Sequence, residues 1–328
     1  MKSVDRNLDY RSDVVYFGRA MNNTSPWHGK IYRLALGTVL PFGGATDPNN
    51  WGVAGTGAAA GFRQATEILD TFGTPSTELG PVLAAPATAV DDASKLWVFV
   101  GTGRYFANAD KTDTSTQYFV GVKDSVMNGA CTLPQTSTVD CWDNDLVDVS
   151  SAQVCVVGVG NCGQTSGTNQ VTGVTGASTM AQLIALVGSK DGWVTKLLPS
   201  SGPGVGERVL SAATVFGGIV FFPTFTPTND ICASTGSSNL YALFYKTGGP
   251  YQEPIIGTTA GTGGVANVNK STSLGSGMAF GAVPYVGSGA DGTSPYKLFI
   301  NTSSGSLSPQ EVNLAIDPRS HFASWINM

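Results

Sequence analysis

Asp5, Asn7, Asp9 and Asp13 stand at the head of the chain in the pattern D-x-N-x-D-x-x-x-D. Oxygen side chains at loop positions 1, 3, 5 and 9, with the main-chain carbonyl of Arg11 at position 7, form the donor set with which an EF-hand-like loop wraps calcium. Tyr10 occupies the place where such a loop uses glycine for its sharp turn, and Arg6 and Arg11 add positive charge beside it. The competing reading of the same residues is a solvated acidic turn that holds no ion.

Five cysteines, at 131, 141, 155, 162 and 232, are the next residues able to do chemistry. The short spacings within Cys131–Cys141 and Cys155–Cys162 suit hairpin-like disulfides, and their polar, glycine-rich surroundings suit an exported protein. Free thiols and a zinc site are the alternatives, although no CxxC and no nearby histidine supports zinc. Cys232 is left over.

Nucleophilic and nucleotide chemistry find little support. His28 and His321 are the two histidines, and there is no GxSxG. His28, in PWHGK, reads as part of a turn with a surface or packing role. The stretch Val154–Gly163 carries GxGxxG after a plausible strand, but the following QTSGTNQVTG cannot begin a helix to hold a pyrophosphate. Gly55–Gly61 has no strand before it. Both stretches read as turns.

The elements that must position these residues read as strands. A chain of 328 residues can form one large all-β domain or two smaller ones. With 42 glycines, 17 prolines and 12% charged residues, it suits many turns between short strands. A net charge of −5 argues against nucleic acid as a partner. The longest apolar run, around Val215–Phe222, is broken by two glycines and falls short of the roughly 20 residues that span a bilayer. MKSVDRNLDY lacks the apolar core of a secretory signal, and the chain opens directly on a β-motif, as a piece of a longer protein does.

Strands are expected at Asp13–Arg19 and Lys30–Leu36, with Tyr16, Ile31 and Leu34 in the core, and then at Thr66–Phe72, Ala84–Val90, Leu96–Gly101 and Gln117–Val122. Residues 125–180, which hold four of the five cysteines, read as an insertion with few strands. Strands resume at Ala181–Val187, Gly192–Leu198, Glu207–Ala213, Gly218–Phe225 and Leu240–Tyr245, then at Gly277–Val286, Lys297–Asn301 and Glu311–Ile316. Ile219–Phe222 is apolar on both pleat faces and should be covered on both sides. Helix signals are nearly absent. The pattern is all-β, a sandwich or a propeller.

Three long phrases carry a family resemblance. They are GERVLSAATVFGGIVFFPTFTP, with Cys232, GSSNLYAL and KTGG after it, the segment Asp13–Leu36, and the segment Trp97–Asp124. These resemble the C-terminal propeller of PilY-type proteins, which act in type IV pilus biogenesis and tip adhesion. The likeness runs to about Pro254 and is weak after Gly257.

The resemblance implies a quinoprotein-like β-propeller over residues 1–328, with about five to seven blades at about 40–50 residues each and the Cys-containing insertion at about 125–180. It implies a non-enzymatic protein, exported through the periplasm to the cell surface or pilus tip, that binds minor and major pilins and a host or abiotic surface. It also implies calcium at Asp5, Asn7, Asp9 and Asp13 with the Arg11 carbonyl. The alternative is a quinoprotein-like dehydrogenase, but the chain has no adjacent cysteine pair, and Trp97 and Trp193 read as packing aromatics. For closure the expectation is either a smaller ring or an incomplete arc. In the arc, the open edge would be filled by the N-terminal part of a split PilY-type protein or by a pilin strand.

Overall fold

The run LWVFV from Leu96 to Val100 is apolar at every position, so both faces of its strand are buried, and the chain answers by packing sheets against both. The computed structural model describes residues 1–22, 27–37, 48–54, 61–73, 76–129, 145–160, 170–197, 206–228, 236–257, 265–287 and 295–316. Among them, four sheets stack face on face.

The first sheet has the order β1 (Lys2–Val4), β2 (Val14–Met21), β3 (His28–Ala35), β4 (Thr66–Leu69). The second has the order β5 (Ala87–Val90), β6 (Leu96–Gly101), β7 (Gln117–Lys123), β11 (Gly192–Leu197), β8 (Leu146–Asp148), with β8 parallel to β11. Between β8 and β11 lie β9 (Gln153–Gly160), β10 (Gln170–Thr172) and the helix α1 (Met180–Gly188). The third sheet runs β12 (Thr214–Phe216), β13 (Ile219–Thr226), β14 (Ser237–Phe244), β16 (Ser271–Ser276), while β15 (Val265–Asn267) pairs with β9. The fourth runs β17 (Val283–Val286), β18 (Tyr296–Asn301), β19 (Leu307–Glu311).

Side-chain alternation assigns each face. Leu96, Val98 and Val100 of β6 and Tyr118, Val120 and Val122 of β7 share a core with Val14, Tyr16, Ile31 and Ile68 of the first sheet. Trp97, Phe99, Phe119 and Trp193 face the other way, into a core with Val220, Phe222 and Leu243 of the third. Phe119 and Phe222 stack across this junction with ring centroids 3.7 Å apart. Tyr296, Leu298 and Ile300 of the fourth sheet join the same core, where Tyr296 meets Phe216 edge-on. The first strands also line up, with β1 against β5, β5 against β12 and β12 against β17.

Every residue of β13 is buried, as its two-faced apolar pattern requires. Gly121 in β7 is fixed by close approach, because a Cβ there would fall 2.4 Å from the Trp193 ring. Trp97 and Trp193 are packing aromatics, as expected.

Four expectations are corrected. Ala181–Val187 lies in α1, not a strand: Thr179 caps it by accepting the Gln182 N–H at 3.2 Å, and Met180, Leu183 and Val187 form its buried stripe. Of Glu207–Ala213 only an isolated bridge, Arg208 to Phe225, is strand-like, and the edge strand begins at Thr214. At the end of the chain the strand is Leu307–Glu311, not Glu311–Ile316. Leu34 is half-buried on the face of the first sheet opposite Tyr16 and Ile31. Beside the four stacked sheets, the described residues also form a three-stranded sheet, β10–β9–β15, and two two-stranded ones.

Candidate calcium loop and the sheets that hold it

Asp5 to Asp13 form the connection between β1 and β2, pinned at its base where the Asp13 N–H donates to the Val4 carbonyl at 2.8 Å. The Asp13 carbonyl in turn accepts the Leu36 N–H at 2.8 Å, which ties the loop to the end of β3. Inside the loop the expected ligands curl inward. Asp5 accepts the N–H groups of Leu8 at 2.7 Å and Tyr10 at 2.8 Å, Asn7 accepts that of Asp9 at 3.1 Å, and Asp9 accepts that of Arg11 at 2.9 Å. Each carboxylate oxygen has further lone-pair capacity beyond one such bond.

Two features bear on whether the loop fits a cation. Asp13 is 1% exposed, and while its Oδ2 accepts the Arg6 N–H at 2.6 Å, its Oδ1 is buried with no hydrogen-bond partner. A buried carboxylate oxygen without a partner is costly, and a bound cation relieves that cost. Tyr10 also adopts the left-handed turn, with φ 67°, at the position where an EF-hand-like loop uses glycine. Its side chain is 93% exposed and touches nothing that explains the strain. Against these, no three His, Cys, Asp or Glu side chains among the described residues converge as a metal-ligand group. The loop's donor set is mixed, with one amide and one main-chain carbonyl among five.

The sheets below the loop are joined by buried charges that composition did not reveal. Arg33 and Asp124, both fully buried, pair at 2.7 Å between the first and second sheets, and Tyr16 donates its hydroxyl to the same carboxylate. Glu207 is 3% exposed and accepts from Asn239 at 2.9 Å, from the Tyr241 hydroxyl at 2.8 Å and from Thr224. Burial, and then the Glu207 charge, push the Tyr241 hydroxyl far above its ordinary range. Arg208 donates to the carbonyls of Gly206, Arg104, Asp110 and Asp113 at 2.7–3.1 Å and so holds the 104–113 loop. The signal for both was Glu-Arg inside an otherwise apolar GERVLS phrase.

A cavity of about 300 Å³ lies among Asp91, Asp92, Lys95, Trp97, Lys123 and Lys246. Its lysines are already engaged. Lys123 donates to the Val187 and Gly188 carbonyls at the end of α1, and Lys246 pairs with Asp92 at 2.5 Å. Burial lowers the Lys123 ammonium.

The other sequence expectations fall as follows. Cys155 lies buried on β9 and is disulfide-bonded. Cys131, Cys141, Cys162 and Cys232 lie outside the described residues, so neither expected pairing is placed. His321 and residues 55–60 of the first glycine-rich stretch lie outside them too. His28 opens β3 instead of sitting in a turn; the plausible strand before GxGxxG is present as β9 and runs on to Gly160, while residues 161–163 of that stretch lie outside the described residues. Among the described residues, no helix is long and apolar enough to cross a membrane.

Comparison with known proteins places this geometry. No family model matches the chain. It is 26% identical over 253 residues to a type IV pilus biogenesis factor PilY1 homolog of Xylella fastidiosa strain Temecula1, covering 75% of this chain and 14% of that protein. A second PilY1 homolog of the same organism is 24% identical over 199 residues, covering 60% of this chain and 14% of its own length. The chain therefore spans about one seventh of the curated relatives it matches. Among solved structures, the crystal structure of the Pseudomonas aeruginosa PilY1 C-terminal domain superposes with a TM-score of 0.58 at 17% identity, covering 95% of this chain and 59% of that one. In sequence and in fold, then, the chain resembles the C-terminal domain of the PilY-type type IV pilus biogenesis factors.

Proposed function

We propose that this protein is a non-enzymatic, exported component of a type IV pilus system. In this reading it is a propeller-type stack of sheets that works at the cell surface or pilus tip by contacting minor and major pilins and a host or abiotic surface. The observation that carries the proposal is the double likeness to PilY1 proteins, by sequence over three quarters of the chain and by fold over 95% of it.

Within this reading Asp5, Asn7, Asp9, Asp13 and the Arg11 carbonyl hold calcium, supported by the partnerless Asp13 Oδ1 and the left-handed Tyr10. A bound ion would supply positive charge to the buried Asp13 carboxylate and clamp β1 against β2. Cys131–Cys141 and Cys155–Cys162 form the disulfides of the insertion. The expected experiment is a pull-down of purified pilins by the full chain, in millimolar calcium and in chelator. Capture that weakens in chelator and with Asp9→Ala supports the proposal. No capture in either condition, or a stoichiometric quinone absorbance in the pure protein, would overturn it.

A further inference from the structure

The cavity beside α1 gathers positive charge in a chain whose net charge is −5. Three lysines reach it from three separate places: Lys95 in the turn before β6, Lys123 at the end of β7 and Lys246 after β14. Like charges brought together repel, so the cluster calls for counterions.

Two aspartates line the same cavity, and neither makes an ion pair with Lys95 or Lys123. Asp91 is engaged by its own turn: its Oδ1 accepts the N–H groups of Ala93 at 3.0 Å and Lys95 at 2.7 Å, and its Oδ2 accepts the Trp97 indole N–H at 2.9 Å. Asp92 pairs with Lys246 at 2.5 Å. Lys95 reaches the Asn128 carbonyl at 3.5 Å, and Lys123 donates to the Val187 and Gly188 carbonyls at 3.2 and 2.8 Å. These acceptors are neutral, although the negative end of α1 offsets part of the Lys123 charge. An ammonium has three N–H donors, so Lys123 keeps one for another partner. Burial outweighs the pull of Asp91 and Asp191 and lowers the Lys123 ammonium, so its charge is incompletely compensated where it stands.

The wall beside these cations is apolar. The Trp97 ring centroid lies 5.6 Å from the Lys123 Nζ, and Ile184 of α1 lines the same space. At about 300 Å³ the cavity lies at the lower end of the roughly 300–1,000 Å³ that small-molecule sites occupy. Cations on one side and hydrocarbon on the other select an anion attached to a compact apolar body. Two cations without ion-pair partners match the two oxygens of a carboxylate. A phosphate adds charge beside Asp91 and Asp92 that these cations do not answer.

We infer that this cavity binds a small organic acid through its carboxylate, with Lys95 and Lys123 as the anion partners and Trp97 and Ile184 against the apolar body. Such a group is borne by a free aryl or branched-alkyl acid, or by the last residue of a polypeptide. The two sources differ in what extends from the mouth of the cavity. The site belongs to the fold and stands apart from the pilus reading.

The test is a titration of the isotope-labelled full chain with phenylacetate, one carboxylate on one ring, followed by NMR. The Lys95 and Lys123 amide resonances and the Trp97 indole N–H should shift together along one saturable curve. The uncharged phenylacetamide should bind at least tenfold more weakly. Lys123→Met should weaken phenylacetate by about tenfold or more, as loss of a hydrogen bond to a charged group does. Because Lys123 also holds the end of α1, Lys95→Glu at an exposed position is the second variant, and it should weaken binding at least threefold without moving the melt. The peptide acetyl-Gly-Gly-Phe with a free carboxyl terminus separates the sources: tighter binding than phenylacetate assigns the cavity to a polypeptide end, and binding no tighter assigns it to a free acid. No saturable shift with either probe, phenylacetamide bound as well as phenylacetate, or a Lys95→Glu variant that binds like the parent, would overturn the inference.

Discussion

Tyr10→Gly should make the first loop better at what it does. Tyr10 sits at φ 67° with its side chain 93% exposed, so replacing it removes strain and no packing. The left-handed conformation costs an L-residue about 1–2 kcal/mol, and glycine nothing. The glycine variant loses about 0.5–1 kcal/mol to the greater freedom of its unfolded chain. The net gain is then about 0.5–1 kcal/mol. If calcium selects the turned loop, the relief appears as an affinity about two- to fivefold tighter. Tyr10→Val should move the other way, because a β-branched side chain tolerates this region worst. Calcium titration by calorimetry, with thermal melts in calcium and in chelator, reads both quantities. A Tyr10→Gly variant that melts lower than the parent, or that binds calcium no better while Tyr10→Val binds no worse, would refute the assignment of this residue as the strained turn.

Three further outcomes follow from the buried groups. Arg33→Met should cost about 3–5 kcal/mol in urea unfolding, because it leaves the Asp124 carboxylate uncompensated between two sheets; a loss under about 1 kcal/mol would contradict that role. Burial, and then the Asp91 and Asp92 charges, raise the Tyr245 hydroxyl from 10.0 to about 12, so the folded state keeps a proton that the unfolded state gives up. The stability tied to that proton is complete below pH 10 and is lost as pH rises to 12, worth about 2 kcal/mol, and Tyr245→Phe should flatten that limb of the pH profile. Non-reducing peptide mapping should recover Cys155 joined to Cys162 and Cys131 joined to Cys141, whereas four free thiols would remove the link to an exported protein.

What the sequence made legible was the part written in apolar alternation. β13 could be read from IVFFPTFT alone, because a strand apolar on both pleat faces has only one kind of place to go. The oxygen spacing of Asp5, Asn7, Asp9 and Asp13 marked out the connection between β1 and β2, but the left-handed conformation of Tyr10 was not legible, since nothing in composition announces a non-glycine residue there. α1 was misread because QLIALV resembles a buried strand; the cap at Thr179 and the spacing of Met180, Leu183 and Val187 were the better signal. β19 was missed because LSPQE, at an open edge, has no core-facing apolar set. Nothing in the sequence announced that Arg33, Glu207 and Arg208 are buried, because charges usually lie at the surface and the pairings that let these be buried span tens of residues.

The placement of β11 bears on the order in which the chain can acquire its shape. β7 and β11 are hydrogen-bonded neighbours, yet residues 124–191, which carry β8, β9, β10 and α1, stand between them along the chain. The central sheet of the stack therefore stays incomplete while that segment is still being delivered, and the Trp193 ring, against which Phe99 and Phe119 pack, arrives last. Until then the second sheet presents one aromatic flank to solvent. Contacts so distant along the chain slow folding, toward milliseconds to seconds or longer. A polypeptide emerging from its amino terminus carries the first sheet before the second can cover it, since the core they share includes Val194 of β11.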